Sequence, residues 1–323
     1  MKLLITGGSG FLGRRTAGYF EKLGYEVLTP THSQLDITQP VNVRNWFLAN
    51  RPDGVIHTAA VSDTGLCQQK PQWSQTINVT GCVNLARCCR EFGSKLVVCS
   101  SDQVYFGSAI PGPHREEEPL TSANVYGDQK LRAEGLCLEE APDTVCLRLS
   151  WMYDRERYPG EHGHFLSTFR ETLADETKPI SWPIHDRRGI TYVRYVVENL
   201  PKALALSGGV YNFGSENDAS THHTVKAVLE DLEMEAALTR LTPNTQAFRD
   251  NPRDISMDTG KLRSTGVHFP TTRQGLAEVL KEVCMGPFTS VWTTATACGS
   301  TSAARAGTLP CWRISAVSWP GIC

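Results

Sequence analysis

A tyrosine followed four residues later by a lysine, Tyr126-Gly127-Asp128-Gln129-Lys130, is the spacing in this chain with the most direct chemical use. On a helix the two side chains share one face. A free phenol has a pKa of about 10, too high for efficient proton exchange at neutral pH. A neighbouring ammonium favours the phenolate and lowers that value, so the tyrosine can exchange a proton with a ketone or an alcohol. The same spacing is common on exposed helices, where it does nothing. It gains meaning from Cys99-Ser100-Ser101-Asp102, which ends an apolar run upstream of the tyrosine. A hydroxyl at that point, Ser101, can hydrogen-bond a reacting carbonyl oxygen.

The second constellation is Thr6-Gly7-Gly8-Ser9-Gly10-Phe11-Leu12-Gly13. Gly7, Gly10 and Gly13 permit a tight turn, close approach of backbone to a pyrophosphate, and close helix–strand packing. The following helix start offers free N–H groups and positive dipole charge to phosphate. A glycine triplet alone serves any tight turn; its place between a first strand and a first helix points to a dinucleotide. An NAD site often carries an acid at the end of the second strand, but Leu28-Thr29-Pro30-Thr31-His32-Ser33 has none. Arg14, Arg15 and His32 could pair with a 2′-phosphate, and a solvated arginine pair would look the same. The balance leans to NADPH and leaves NADH open.

Strands alternating with helices must position these groups. Apolar β-rich runs at residues 2–6, 25–29, 54–58, 95–100 and 144–149 predict five strands. Helical spacing follows the glycine turn through Leu12, Thr16, Phe20 and Leu23, with Gly24 as its stop, and recurs over 76–92 and 123–140. Such alternation implies right-handed crossovers and an α/β fold, a Rossmann-like doubly wound parallel sheet. The second half is less regular, with a strand at 210–213, a helix at 222–232 that His222 and His223 begin, and proline-containing loops.

The 323 residues are 40% hydrophobic with a formal net charge of −2, which argues against disorder and against a nucleic-acid partner. No run approaches the length of a membrane span, and the first apolar run meets glycine too soon for a leader. The expectation is a cytoplasmic protein. Eleven cysteines show no paired CxxC spacing, so no zinc site is expected and reduced thiols should serve as small hydrophobes. His162, His164 and His185 read as incidental loop histidines, and Glu116-Glu117-Glu118 as a solvated loop. Residues 286–323 hold no acid, only Arg305 and Arg313 as charges, and neither helical nor strand periodicity. They read as a tail outside the fold, either a disordered extension or a non-native translation.

With these motifs in hand, the chain resembles the extended short-chain dehydrogenase/reductases. Within them it is most similar to the dTDP-4-dehydrorhamnose reductase family, which also contains the regulatory beta subunit of methionine adenosyltransferase. Beyond the two motifs above, the resemblance rests on LDIT at 35–38, HTAA at 57–60, INVTG at 77–81, SSDQVYFG at 100–107, LRLSWMY at 147–153 and NPRDISMDTGKL at 251–262. It implies that Gly10, Phe11 and Leu12 cradle the pyrophosphate, that Asp36 and Ile37 flank the adenine, and that Ala59 and Ala60 line the cofactor groove. Asn78 matches a helix-kinking asparagine that helps hold the lysine through water. Ser101, Tyr126 and Lys130 match the catalytic trio. Asp102 and Trp151 match contacts to a nucleotide-sugar substrate, although a tryptophan after a strand also suits a core.

The resemblance divides the chain into a cofactor-binding part at 1–150, a smaller α/β substrate lobe at 151–285 with some segments returning to the first part, and the tail. It implies reduction of a 4-keto nucleotide sugar, with no metal required, and leaves a homodimer open. Departures fall on the substrate side. Thr191 replaces a proline in the stretch 186–191, and Asn251 stands where an arginine is usual, with Arg249 and Arg253 nearby. A non-catalytic NADP(H)-binding regulator is the alternative. An epimerase or dehydratase is a third reading, but Asp102 lacks the following Glu that dehydratases use.

Overall fold

Near-continuous apolar runs build the strands of the first half, because helices cover both faces of the sheet they form. These are β1 (Lys2–Thr6), β2 (Glu26–Leu28), β3 (Gly54–His57), β4 (Lys95–Ser101) and β5 (Val145–Leu149). The structure, a computed structural model, describes residues 1–159, 161 and 163–285. Together with Gly209–Phe213 from the second half, the five strands make a six-stranded sheet in which every pairing is parallel. Its order is β2, β1, β3, β4, β5, then Gly209–Phe213. The direction of winding reverses at β1, which opens a crevice at the C-terminal ends of β1 and β3. Thr6 is in register with His57 there, and Ser101 with Leu149 two strands away.

Alternation along each strand separates two cores. Leu3, Ile5, Val97, Cys99, Val145 and Leu147 point to one side with Phe20, Leu200 and Phe213. Leu4, Leu96, Val98 and Cys146 point to the other with Val43, Phe47 and Leu85. The seven described cysteines that are assigned a state, Cys67, Cys82, Cys88, Cys89, Cys99, Cys137 and Cys146, are all free and buried. Burial pushes the Cys99 thiol up to about 12, which keeps it a small apolar group.

The helices of the first half are α1 (Phe11–Lys22), α2 (Pro40–Asn50), α3 (Thr64–Gln69), α4 (Pro71–Gln75), α5 (Gly81–Phe92) and α6 (Val125–Glu140). In α1, Leu12, Thr16 and Phe20 form the buried stripe, and Gly24 at φ +81° ends the segment. The sequence gives little sign of α2, whose buried face is only Val43 and Phe47. The single helix expected over 76–92 is interrupted, since Thr76–Thr80 forms a π turn ahead of α5. Asn124 caps α6 by accepting from the Gly127 N–H at 2.7 Å, which fixes where the helix carrying Tyr126 and Lys130 begins.

In the second half, parallel strand pairs form between Trp151–Tyr153 and Ile190–Tyr192, Ile180–Pro183 and Leu241–Asn244, and Asp186–Arg187 and Arg253–Asp254. Thr191 turns its hydroxyl to use: it accepts from the Ser215 N–H at 2.7 Å and meets the Ser150 hydroxyl at 2.5 Å. Helices Phe165–Ala174, Val193–Ala203, Thr221–Asp231, Glu235–Leu238, Gly260–Arg263 and Thr272–Met285 complete the described part of this half. Among the described residues no helix is long and apolar enough to cross a membrane. The expectation for residues 286–323 lies outside the described residues.

Candidate active site

The glycine turn leaves no room for side chains. A Cβ on Gly7, whose φ is +69°, would lie 2.8 Å from the Ala59 nitrogen, and one on Gly13 would lie 2.1 Å from the Gly7 carbonyl oxygen. The Gly10 N–H closes the turn on that same oxygen at 2.9 Å. Gly10 is the N-cap of α1; no side chain caps this helix start and no acid sits in its first turn. The N–H groups of Phe11, Leu12 and Gly13 therefore face the crevice without helical partners, and the dipole end is positive. This cradle fits a dinucleotide pyrophosphate. Ala59 and Ala60 follow β3 beside it, and both are half-buried.

Lys130 and Tyr126 are both buried on α6, with the lysine Nζ 5.6 Å from the centre of the tyrosine ring. The ammonium also donates to the Cys99 carbonyl oxygen at 2.8 Å, so β4 fixes its height. Burial pushes the Tyr126 phenol above its ordinary value; Lys130 and the Ser101 hydroxyl pull it down, while Asp102 and Cys67 add to the rise. Burial works against the charge on Lys130, but Tyr126, Cys82, Cys99 and Glu134 outweigh it and leave the ammonium above its usual range. Ser101 ends β4, donating to Asp102 Oδ1 at 3.2 Å and accepting from the Gln103 N–H at 3.2 Å. The structure thus brings the three expected catalytic side chains to one place.

Asp102 is 1% exposed, and its charge is balanced by Arg188, a residue to which no local pattern gives a role. Arg188 Nη2 donates to both carboxylate oxygens, at 2.8 and 3.2 Å. Its guanidinium carbon lies 5.2 Å from the centre of the Trp151 ring, whose edge-on partner is Phe165. Trp151 is therefore half-buried, packed on the core through Phe165 and faced by a cation. A second pair stands near: Arg253 donates to the two oxygens of Asp186 at 2.7 and 2.8 Å. Arg249, by contrast, is exposed and paired with Asp250.

The other expected residues have the following places. Asn78 accepts from the Val61 N–H at 2.8 Å and donates to the Val61 carbonyl at 3.0 Å and to Gln129 at 2.8 Å. It ties the loop after β3 to α6, one residue from the lysine. Asp36 accepts from the Thr38 hydroxyl and N–H, which keeps its carboxyl below the ordinary range, and Ile37 is packed in the core under Gly81. Arg15 is neither a solvated arginine nor a free phosphate ligand: it is engaged by Asp154 and Glu161 and donates to the Phe11 carbonyl at 2.7 Å. Arg14 and His32 remain exposed. Glu116 is not part of a solvated loop; it is buried and accepts from the Asn212 N–H at 2.7 Å, anchoring the last strand of the sheet. His164 caps the helix Phe165–Ala174, the His185 carbonyl accepts from Arg253, and His162 lies outside the described residues. Among the described residues no three metal-ligating side chains gather.

Comparison with known proteins gives this geometry a family. A structure of dTDP-4-dehydrorhamnose reductase from Bacillus anthracis in complex with NADP shares the fold, with a TM-score of 0.74 at 24% identity, covering 87% of this chain and 99% of that one. The spore coat polysaccharide biosynthesis protein SpsK of Bacillus subtilis is 27% identical over 285 residues, 87% of this chain and 97% of the relative. The dTDP-4-dehydrorhamnose reductase of Streptomyces griseus is 34% identical over 293 residues, 87% and 93% of the two chains. The family model described as RmlD substrate binding domain matches residues 1–285, and the chain belongs to that family.

Proposed function

We propose that this chain is an NADPH-dependent oxidoreductase that reduces a 4-keto nucleotide sugar, with dTDP-4-dehydro-L-rhamnose as substrate and dTDP-L-rhamnose as product. The observation that carries the reading is the buried Tyr126–Lys130 pair on α6 beside Ser101 at the end of β4. In this reading residues 1–150 hold the cofactor and residues 151–285 mainly the sugar nucleotide. The turn from Gly7 to Gly13 receives the pyrophosphate, and Ala59 and Ala60 line the groove. When bound, the cofactor supplies a hydride to the ketone carbon and, once oxidised, a positive ring that favours the phenolate.

The chain's own groups supply the rest. Ser101 donates a hydrogen bond to the carbonyl oxygen, where negative charge develops. Tyr126 donates its proton to that oxygen, and the Lys130 ammonium stabilises the phenolate left behind. The Cys99 carbonyl holds Lys130 beside the ring for this task. Asn78 and Gln129 fix the helix carrying both groups against the loop after β3. Trp151 offers a half-buried face on which a sugar ring can pack.

The test is a screen of NADPH oxidation against 4-keto nucleotide sugars, dTDP-4-dehydro-L-rhamnose first. Turnover with that substrate supports the reading, and turnover with a different keto sugar reassigns the substrate while keeping the reaction. NADPH binding without oxidation in the presence of any keto sugar contradicts it, and places the chain with the regulatory members that the sequence resembles.

A further inference from the structure

We propose that Arg188 is a positioning residue for the reduction, one that holds Asp102 as a charge-balanced acceptor and through it sets the hydroxyl of Ser101. The inference rests on the reductase reading. Arg188 reaches the site from a fixed backbone. Its carbonyl accepts from the Asn217 side chain at 2.9 Å, and a Cβ on the next residue, Gly189, would lie 2.2 Å from the Ser215 carbonyl oxygen. The guanidinium meets the Asp102 carboxylate 86 residues away, with the Arg188 side chain only 9% exposed and that of Asp102 only 1%.

A serine hydroxyl carries one proton and two acceptor sites. Here the proton goes to Asp102 Oδ1 and one acceptor site takes the Gln103 N–H. A bare buried carboxylate would either hold that proton strongly or take up a proton of its own. Burial does push the Asp102 carboxyl upward, and Arg188 and Arg253 oppose it. Protonated, Asp102 would become a donor and reverse the bond to Ser101. Compensated by Arg188, it stays an acceptor whose pull on the serine proton is weakened, so Ser101 can pass its hydrogen bond to a substrate carbonyl. The same compensation bears on Tyr126, which is faced by Lys130 on its own helix, by Ser101 and Asp102 at the end of β4, and by Cys67 of α3.

The experiment compares Arg188→Gln, Arg188→Lys and the double variant Asp102→Asn/Arg188→Gln. Steady-state reduction gives kcat, KM and the pH profile; the phenolate absorbance of Tyr126, taken as the difference from a Tyr126→Phe background, is titrated separately without substrate. The expected result for Arg188→Gln is a fall in kcat of about 10- to 100-fold with little change in the KM for NADPH. Its phenol should titrate at higher pH, because an uncompensated carboxylate then faces it. Arg188→Lys should restore part of the loss. The double variant should recover rate relative to Arg188→Gln, because no unpaired charge is left buried. An unshifted phenol titration in Arg188→Gln overturns the proposal, as does a double variant that only adds the two losses. If the wild-type chain reduces no keto sugar, the reductase reading fails, and the phenol titration still decides whether Arg188 acts on this chain of groups.

Discussion

The Lys130 ammonium sits 5.6 Å from the centre of the Tyr126 ring while bound to the Cys99 carbonyl at 2.8 Å, so one charge is held by a strand and aimed at a phenol on its own helix. Because burial raises the phenol above its ordinary value, Tyr126 is protonated throughout the neutral range. In the proposed mechanism reduction uses the protonated phenol, so its rate should be flat at neutral pH and fall as pH rises through the phenol's value. The reverse oxidation uses the phenolate and should rise over the same window. Lys130→Met removes the charge that pulls the phenol down, and should move the alkaline limb of the oxidation to higher pH. Initial rates in both directions across an alkaline pH series provide the check.

Gly13 tests the cradle. Gly13→Ala places a methyl 2.1 Å from the Gly7 carbonyl oxygen, so the turn must open. NADPH affinity, followed by cofactor fluorescence, should fall by more than about tenfold, or about 1.4 kcal/mol. Gly18→Ala in the same helix is the control, since nothing lies within 4 Å of its added Cβ. It should bind NADPH normally and gain up to about 1 kcal/mol in stability from better helix propensity.

Arg148 tests what holds β5 to the helix carrying Tyr126 and Lys130. Its guanidinium meets the Glu134 carboxylate at 2.7 Å and the Tyr105 hydroxyl at 2.8 Å, with both charged partners at most 5% exposed by side chain. Glu134 also accepts from the Ser100 hydroxyl at 2.5 Å. Removing one charge strands the other in the interior, so Arg148→Met should cost about 3–5 kcal/mol in urea unfolding. Arg148→Met/Glu134→Leu should be less damaging than Arg148→Met alone. Equal or greater loss in the double variant would contradict this account of the pair.

The local parts of this picture were legible in the sequence. β1, the glycine turn and α1 announce themselves because apolar period, turn glycines and helix start are all set within a few residues. Lys130 and Tyr126 were legible for the same reason. What escaped reading joins distant segments. Arg188 and Asp102 are 86 residues apart, Arg253 and Asp186 are 67 apart, and Arg15 is engaged by residues 139 and 146 positions away. No local pattern marks such pairs. Glu116 looked solvated within a run of three acids, yet only its fold partner, the Asn212 N–H, determines that it is buried. Arg148 did leave a signal: a lone charge inside the run Val145-Cys146-Leu147-Arg148-Leu149, all of it buried, requires a buried partner.

We propose that Tyr126 gives the proton in a reduction driven by NADPH. The direct measurement is the rate of NADPH oxidation by wild-type and Tyr126→Phe protein with dTDP-4-dehydro-L-rhamnose, alongside NADPH binding to each. The variant should bind NADPH as the wild type does and turn over slower by about 10²- to 10⁴-fold. A variant that keeps the full wild-type rate would contradict it.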